Sequence, residues 1–191
     1  HREGALLDLD KHNWPWSMMV VPIAKVDLYE LSNNSVWRAP FGFRATSTRP
    51  ADYMKLEEGH SGFTEWGWLN FGFENYYALL NCGFRLTPTA GTASGVHPVP
   101  LGHSRVYVHL DGPFNSNAWI EGLRQGRSFV TTGPMLFAKV DGKYPGHVFE
   151  QTEERSKAIT VDISSLSGRP IARIEVLVNG VVAKTITPQN T

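Results

Sequence analysis

The residues of this sequence that can do metal or acid–base chemistry follow short apolar runs. Asp10 and His12 follow the first run, Glu30 ends the next, and His97 lies just beyond a turn of small residues. In α/β proteins the ligand site lies at the carboxyl ends of the strands, where such residues meet. Carboxylates and imidazoles gathered there bind Zn, Mn or Fe, and the metal lowers the pKa of a bound water. We therefore expect His12, Glu30 and His97 as candidate metal ligands. Glu30 and Asp10 are the candidate catalytic carboxylates.

Short apolar segments and helical spacings predict the elements that position these residues. The predicted strands are Ala5–Leu9, Val26–Leu31, Phe84–Thr89 and Val106–Leu110. Apolar residues at helical spacing predict a helix over Phe73–Cys82, and Ser116 or Asn117 is predicted to cap a second helix. Gly83 and Gly126 suit the left-handed residue that often ends a helix. Strands alternating with helices are typical of a largely parallel sheet.

The other segments of the chain have a different composition. Residues Trp37 to Thr64 are rich in Pro, Gly, Arg and Ser, which predicts a long ordered loop. After Pro134 the apolar residues alternate with period two, and Asn179-Gly180 between two such runs predicts a hairpin. We therefore predict an α/β unit over 1–134 and a small antiparallel β unit of sandwich type over 135–191.

Composition and charge exclude several classes of partner. The 18 basic and 18 acidic residues cancel, so no broad field favours nucleic acid or an anionic membrane surface. The longest apolar run, Met18 to Ala24, is too short to span a bilayer and is interrupted by Pro22. The single cysteine, Cys82, is predicted to be a buried helix residue. The tryptophans are predicted to lie mainly in aromatic core.

Four runs, in their order along the chain, resemble the polymerase-and-histidinol-phosphatase (PHP) superfamily. They are GALLDLDKHNWP at 4–15, VDLYELSN at 26–33, NYYALLNCGFR at 75–85 with TAGT at 89–92, and GRSFVTTGP at 126–134. The branch to which they are most similar is the carbaryl-hydrolase-like metallohydrolases. The tail with Val178-Asn179-Gly180 is similar to the C-terminal sandwich of that branch.

The resemblance implies the C-terminal portion of a distorted (β/α) PHP-type barrel, followed by a small β-sandwich-like unit. It places His12 at a metal-binding strand-end histidine and Glu30 at a strand-end glutamate. The last metal-binding aspartate of the family falls on Ala93, whose methyl group cannot bind a metal. Ser94 or His97 would have to substitute. The opening His-x-His motif of the family has no counterpart, so we expect that an upstream part is missing.

Two functions from different classes follow. The first is a fragment of a metal-dependent hydrolase that cleaves a small ester, carbamate or phosphoester substrate with a metal-activated water. Glu30, and with it Asp10, would then be a ligand or a general base, and the fragment would be impaired. The second is a non-catalytic binding module that recognises a carbohydrate or a protein on a degenerate hydrolase fold.

A truncated barrel predicts self-association. Strands that lie inside a complete barrel would here expose an unpaired edge and an apolar face, which favour pairing with another copy. We therefore expect a homodimer or a larger homo-oligomer. Sedimentation at low micromolar concentration measures this, and a strictly monomeric species would contradict the prediction.

Overall fold

Three parallel strands form the sheet that holds the predicted site residues. The computed structural model describes residues 4–10, 15–36, 50–59, 62–93, 99–150 and 158–189. The sheet contains β1 (Asp8–Leu9), β2 (Leu28–Ser32) and β5 (Thr87–Ala90), in the order β1-β2-β5. Both pairings are parallel, as predicted for this part of the chain.

The remaining elements are short strands and three α-helices. Between β1 and β5 the structure has α1 (Pro15–Val20), a 3-10 helix (Asn34–Val36), β3 (Glu58–Gly59), β4 (Gly62–Phe63) and α2 (Glu65–Asn81). After β5 come β6 (Arg105–Val108), α3 (Ser116–Arg124), β7 (Ser128–Thr131), β8 (Met135–Val140), β9 (Val161–Leu166), β10 (Ile174–Val178) and β11 (Val181–Ile186). No helix among these residues is long and apolar enough to cross a bilayer.

The main core lies between this sheet and helix α2. Tyr29 of β2 is fully buried, and its ring centroid is 5.0 Å from that of Tyr76 on the helix. The Tyr76 hydroxyl donates a 2.8 Å hydrogen bond to the carbonyl of Leu86, just before β5. Leu9 of β1 belongs to the same cluster. Burial of each such large side chain stabilises the folded state by about 1.5–3 kcal/mol. This cluster therefore holds the sheet against the helix.

Helix α2 begins earlier than the sequence pattern predicts. The predicted start at Phe73 is wrong, because the helix begins at Glu65, eight residues upstream. Thr64 caps it by accepting a 3.0 Å hydrogen bond from the Gly67 amide. The first turns pack in a second core, where Trp68 and Phe71 contact Phe63 of β4. That packing stabilises turns which the two glycines of the segment weaken.

The environments of Cys82 and the tryptophans differ in part from the predictions. Cys82 is the C-terminal cap of α2 and is exposed, so the predicted buried position is wrong. Trp68 lies in the core as predicted, whereas Trp66 is exposed. Trp14 and Trp37 lie outside the described residues.

Strands β6 and β7 pair antiparallel, in contrast to the largely parallel sheet that was predicted. Helix α3 connects them. Its cap is Asn115, which accepts a 2.8 Å hydrogen bond from the Ala118 amide, so the predicted cap at Ser116 or Asn117 is wrong. Gly126, at φ 71°, reverses the chain after the helix, as predicted for this glycine. The His109 amide then donates a 2.8 Å hydrogen bond to the Arg127 carbonyl, next to the point where β7 begins to pair with β6.

The tail consists of antiparallel pairs, as predicted. Strand β8 pairs with β9, and β10 pairs with β11. The β10–β11 hairpin turns at Asn179 and Gly180, which have φ of 54° and 80°, as a two-residue turn with both central residues left-handed requires. The chain is therefore a mixed α/β protein built of small sheets. Its described strands do not close into a barrel.

The tip of this hairpin lies against helix α2. The Asn81 side-chain amide donates a 3.0 Å hydrogen bond to the carbonyl of Asn179. A Cβ placed on Gly180 would lie 2.8 Å from the Cβ of Tyr77. The backbone of the hairpin tip therefore lies so close to α2 that a side chain larger than that of glycine does not fit at position 180.

Two glycine substitutions test this contact. Gly180→Ala should lower the free energy of unfolding by about 2–4 kcal/mol, because it adds both left-handed backbone strain and a collision with Tyr77. Gly142→Ala is the matched control. Gly142 is left-handed and follows the left-handed Asp141, just as Gly180 follows Asn179, but no atom lies within 4 Å of a Cβ built on Gly142. The control should cost about 1–2 kcal/mol. Equal losses in urea denaturation would show that the hairpin tip does not rest on the helix.

Candidate functional site

Carboxylates from two neighbouring strands meet on one side of the parallel sheet. Side chains alternate along a strand, so Glu30 lies on the face opposite to the buried Tyr29. Asp8 and Asp10 are two residues apart and therefore share a face of β1 and its extension. Thr89 of β5 is the register partner of Glu30. We call Asp8, Asp10 and Glu30 the carboxylate cluster.

Hydrogen bonds tie this cluster together across the sheet. The Thr89 hydroxyl oxygen lies 2.8 and 3.0 Å from the two carboxylate oxygens of Asp8, to which it donates. The carboxyl groups of Asp10 and Glu30 share a hydrogen bond. The side-chain amide of Asn33 donates to Oε2 of Glu30 at 3.1 Å. Because two carboxylates can share a hydrogen bond only through a proton, one member of the Asp10–Glu30 pair is protonated.

The electrostatics of the cluster place that proton on Glu30. The pKa of Glu30 is raised from its ordinary 4.5 to about 8, and loss of solvent contact is the largest cause. The hydrogen bond to Asp10 and the charges of Asp10 and Asp8 contribute to this rise, while the Asn33 amide opposes it. Burial also raises the pKa of Asp8, against the hydrogen bond from Thr89. At neutral pH Glu30 is therefore a hydrogen-bond donor.

The chain after β5 leaves room for the Glu30 side chain. A Cβ placed on Gly91 would collide with Oε1 of Glu30, so only glycine fits without moving that carboxyl group. Two residues later Ala93 has φ 49°, a left-handed conformation that is uncommon for a residue with a side chain. The Gly91 amide donates to the Ser32 carbonyl at 2.9 Å. This segment therefore passes directly beside the cluster.

Buried hydroxyl groups hold the segment that carries Asn33. The Ser32 hydroxyl donates to the Ser104 hydroxyl at 2.9 Å, and the Ser104 hydroxyl donates to the Asn33 carbonyl at 3.4 Å. The Thr92 hydroxyl donates to the Ser104 carbonyl at 3.3 Å. Ser32, Asn33, Thr92 and Ser104 are all buried. The position of the Asn33 amide against Glu30 is thus fixed by hydrogen bonds to the segment before β6.

The structure places the predicted site residues as follows. Asp10 directly follows β1, as predicted, whereas Glu30 is the middle residue of β2 and not its end. The two carboxyl groups interact across the strands. His12 and His97 lie outside the described residues. Sequence reasoning missed Asp8, although its spacing of two from Asp10 already placed the pair on one strand face. It also missed Thr89, whose contact with Asp8 spans 81 residues and leaves no local signal.

The donor chemistry of the cluster suits a hard or borderline divalent cation. Carboxylate oxygens bind Mn, Fe and Zn alike, and Asp10 and Glu30 present two such groups in direct contact. Among the described ranges, however, no group of three or more His, Cys, Asp or Glu side chains is arranged to hold an ion. A complete metal site thus needs a ligand from another part of the chain.

The raised pKa of Glu30 predicts a pH-dependent stability of metal-free protein. Glu30 ionises at about pH 4.5 in the unfolded chain and at about 8 in the folded chain. Between these values only the unfolded chain loses the proton, so the free energy of unfolding should fall as the pH rises through this window. Thermal melts in EDTA from pH 4.5 to 8.5 measure it. Glu30→Gln should reduce the fall and be more stable than wild type at pH 8.5.

A matched control separates this effect from ordinary surface titration. Glu121 lies exposed on α3 and pairs with Arg124 at 3.1 Å. Glu121→Gln should leave the pH dependence unchanged. If Glu30→Gln and Glu121→Gln gave the same profile as wild type, the proton would not reside on Glu30.

Comparison of the chain with protein-family models, with curated proteins and with solved structures finds no match. The carboxylate cluster and its neighbours on the parallel sheet are therefore the basis for any statement about function.

Proposed function

We propose that this chain is the C-terminal part of a PHP-type metal-dependent hydrolase that cleaves an ester, carbamate or phosphoester. The observation that carries the proposal is the interaction of the Asp10 and Glu30 carboxyl groups across two adjacent parallel strands. Buried or half-buried carboxylates in contact are costly for folding, so a functional reason for keeping them is favoured.

The carboxyl pair has acid–base chemistry of its own. In the metal-free chain Glu30 holds a proton at neutral pH and Asp10 accepts the hydrogen bond. With a cation bound both groups would be ionised, and the one not occupied by the cation would take a proton from water. Asn33 and Thr89 orient the carboxyl groups of Glu30 and Asp8. The absence of a side chain at Gly91 makes room for the Glu30 carboxyl group itself. These groups would position a small substrate and move its proton.

In this proposal a divalent cation, Zn, Mn or Fe, is held by Glu30, Asp10 and His12. His12 is two residues beyond Asp10 in the chain. His97 is the further candidate ligand, since Ala93 offers no donor atom at the position where the resembled family has an aspartate. A bound cation would supply a water of lowered pKa as the nucleophile. With one ligand position lost at Ala93, we expect weak activity.

The wider fold of the proposal is a distorted barrel with a β-sandwich-like tail. Its support is the parallel order β1-β2-β5, with α2 on one face and the carboxylate cluster on the other. Strand β7 lies close to β5, although among the described residues it pairs with β6 and not with β5. The antiparallel pairs β8–β9 and β10–β11 would form the tail.

A second candidate function is a non-catalytic binding module on a degenerate hydrolase fold. The observation that favours it is Ala93, a methyl group beside the site where the resembled family carries a metal ligand. Loss of one ligand weakens a metal site severely while leaving the fold intact, which is a common route from enzyme to binding protein.

Metal content and hydrolysis of model substrates distinguish the two functions. Purified protein should hold Zn, Mn or Fe in roughly one-to-one ratio to the chain by elemental mass spectrometry, and should hydrolyse p-nitrophenyl acetate or p-nitrophenyl phosphate slowly. His12→Ala and Glu30→Gln should each lower metal content, and activity by at least about tenfold. Glu121→Gln, remote on α3, is the control and should change neither. A protein without metal and without hydrolysis would support the binding module instead.

A further inference from the structure

A second cleft lies between the β6–β7 pair and the β8–β9 pair, and it shares no lining residue with the carboxylate cluster. Its volume is about 480 Å³. Clefts of roughly 300–1,000 Å³ with mostly apolar walls and a few polar groups are typical of small-molecule sites. This cleft has that composition, as the contacts of its walls show.

One wall consists of three aromatic rings. Tyr107 and Phe129 are cross-strand partners whose rings stack at 5.4 Å and 14°. Phe137 of β8 meets Phe129 edge-on at 5.9 Å and 70°. Half of Phe137 remains exposed to solvent, at 52%. Such a wall favours a planar ring as its ligand, because an added ring can stack or meet an edge and cover the exposed face.

Further along the same strand faces, the cleft carries an aromatic stack and a cation. Tyr144 stacks on His109 at 4.0 Å and 22°. The ammonium nitrogen of Lys139 lies 4.4 Å from the centre of the Tyr144 ring. Asp162 is the cross-strand partner of Lys139 and also lines the cleft, yet the two charges form no ion pair within the part of the chain that the structure describes. A positive and a negative group therefore stand side by side, each available to a ligand.

A buried hydroxyl without a partner lies behind the aromatic wall. Ser128 is only 6% exposed, and its Oγ has no hydrogen-bond partner among the described residues. Ser128 pairs with Val108, which packs on Gly122 of α3, so its side chain faces the helix and not the ligand side of Phe129. Ser128 also borders a larger cavity of about 1100 Å³, whereas Phe137, Lys139 and Asp162 line only the smaller cleft.

We infer that this cleft binds an aromatic amino acid. The ring would lie against Phe137 and Phe129, the ligand carboxylate would pair with Lys139, and the ligand ammonium would pair with Asp162. A ligand with only one charge leaves either Lys139 or Asp162 unpaired. The cleft is thus selective for ligands that carry both charges.

The test is a titration of the full chain with L-tryptophan and two analogues that each lack one charge. By isothermal calorimetry, L-tryptophan should bind with a Kd of about 1 mM or below, as expected for a ligand of this size. Tryptamine, without the carboxylate, and 3-indolepropionate, without the ammonium, should each bind about tenfold more weakly. Equal binding of all three compounds, or no binding of L-tryptophan, would overturn the inference.

Substitutions locate the binding in this cleft. Lys139→Met should weaken L-tryptophan about tenfold while leaving tryptamine unchanged, and Asp162→Asn should weaken tryptamine but not 3-indolepropionate. Phe137→Leu, at a half-exposed position that tolerates change, should weaken all three compounds. Lys184→Met, on the exposed strand β11, is the matched control and should change nothing. If Lys139→Met and Phe137→Leu bound like wild type, the ligand would lie elsewhere and the inference would fail.

Discussion

The alternation of side chains along β2 is the constraint on which the rest of this structure depends. Tyr29 is fully buried against α2, and its hydroxyl donates to the Gly72 carbonyl at 3.4 Å. Glu30, the next residue, must therefore lie on the other face of the sheet. A slip of one residue would place Glu30 in the apolar core and Tyr29 among carboxylates, which costs free energy on both faces. The packing of Tyr29 thus positions the candidate site.

The carboxylate cluster is unfavourable for folding as it stands. The neighbours seen to donate hydrogen bonds to it, Thr89 and Asn33, are neutral and cannot offset the repulsion among Asp8, Asp10 and Glu30. The structure relieves that repulsion by keeping a proton on Glu30. A divalent cation would relieve the repulsion more fully, since it brings two positive charges to the cluster where the proton brings one. The same crowding that lowers stability therefore favours binding of a cation.

Local sequence signals predicted the parts of the fold that depend on neighbouring residues. The left-handed Gly83, Gly126 and Gly180 follow from turn and cap chemistry, and the strands of the parallel sheet follow from short apolar runs. The early start of α2 was missed because Gly67 lowers helix propensity, and only packing of Trp68 on Phe63 compensates. The antiparallel return of β7 and the contact between Thr89 and Asp8 were also missed. Both join residues distant in sequence, and no local pattern records such pairings.

The contacts of α2 connect the tail of the chain to the candidate site. Tyr77 of this helix supports Gly180 at the hairpin tip, and its neighbour Tyr76 packs on Tyr29 of β2. Tyr76 and Tyr77 are themselves in ring contact, with centroids 6.0 Å apart. Close-packed rings transmit displacement because they cannot be compressed. A shift of the hairpin would therefore press on Tyr29 through two aromatic contacts, and the carboxyl group of Glu30 is attached to the next residue of the same strand.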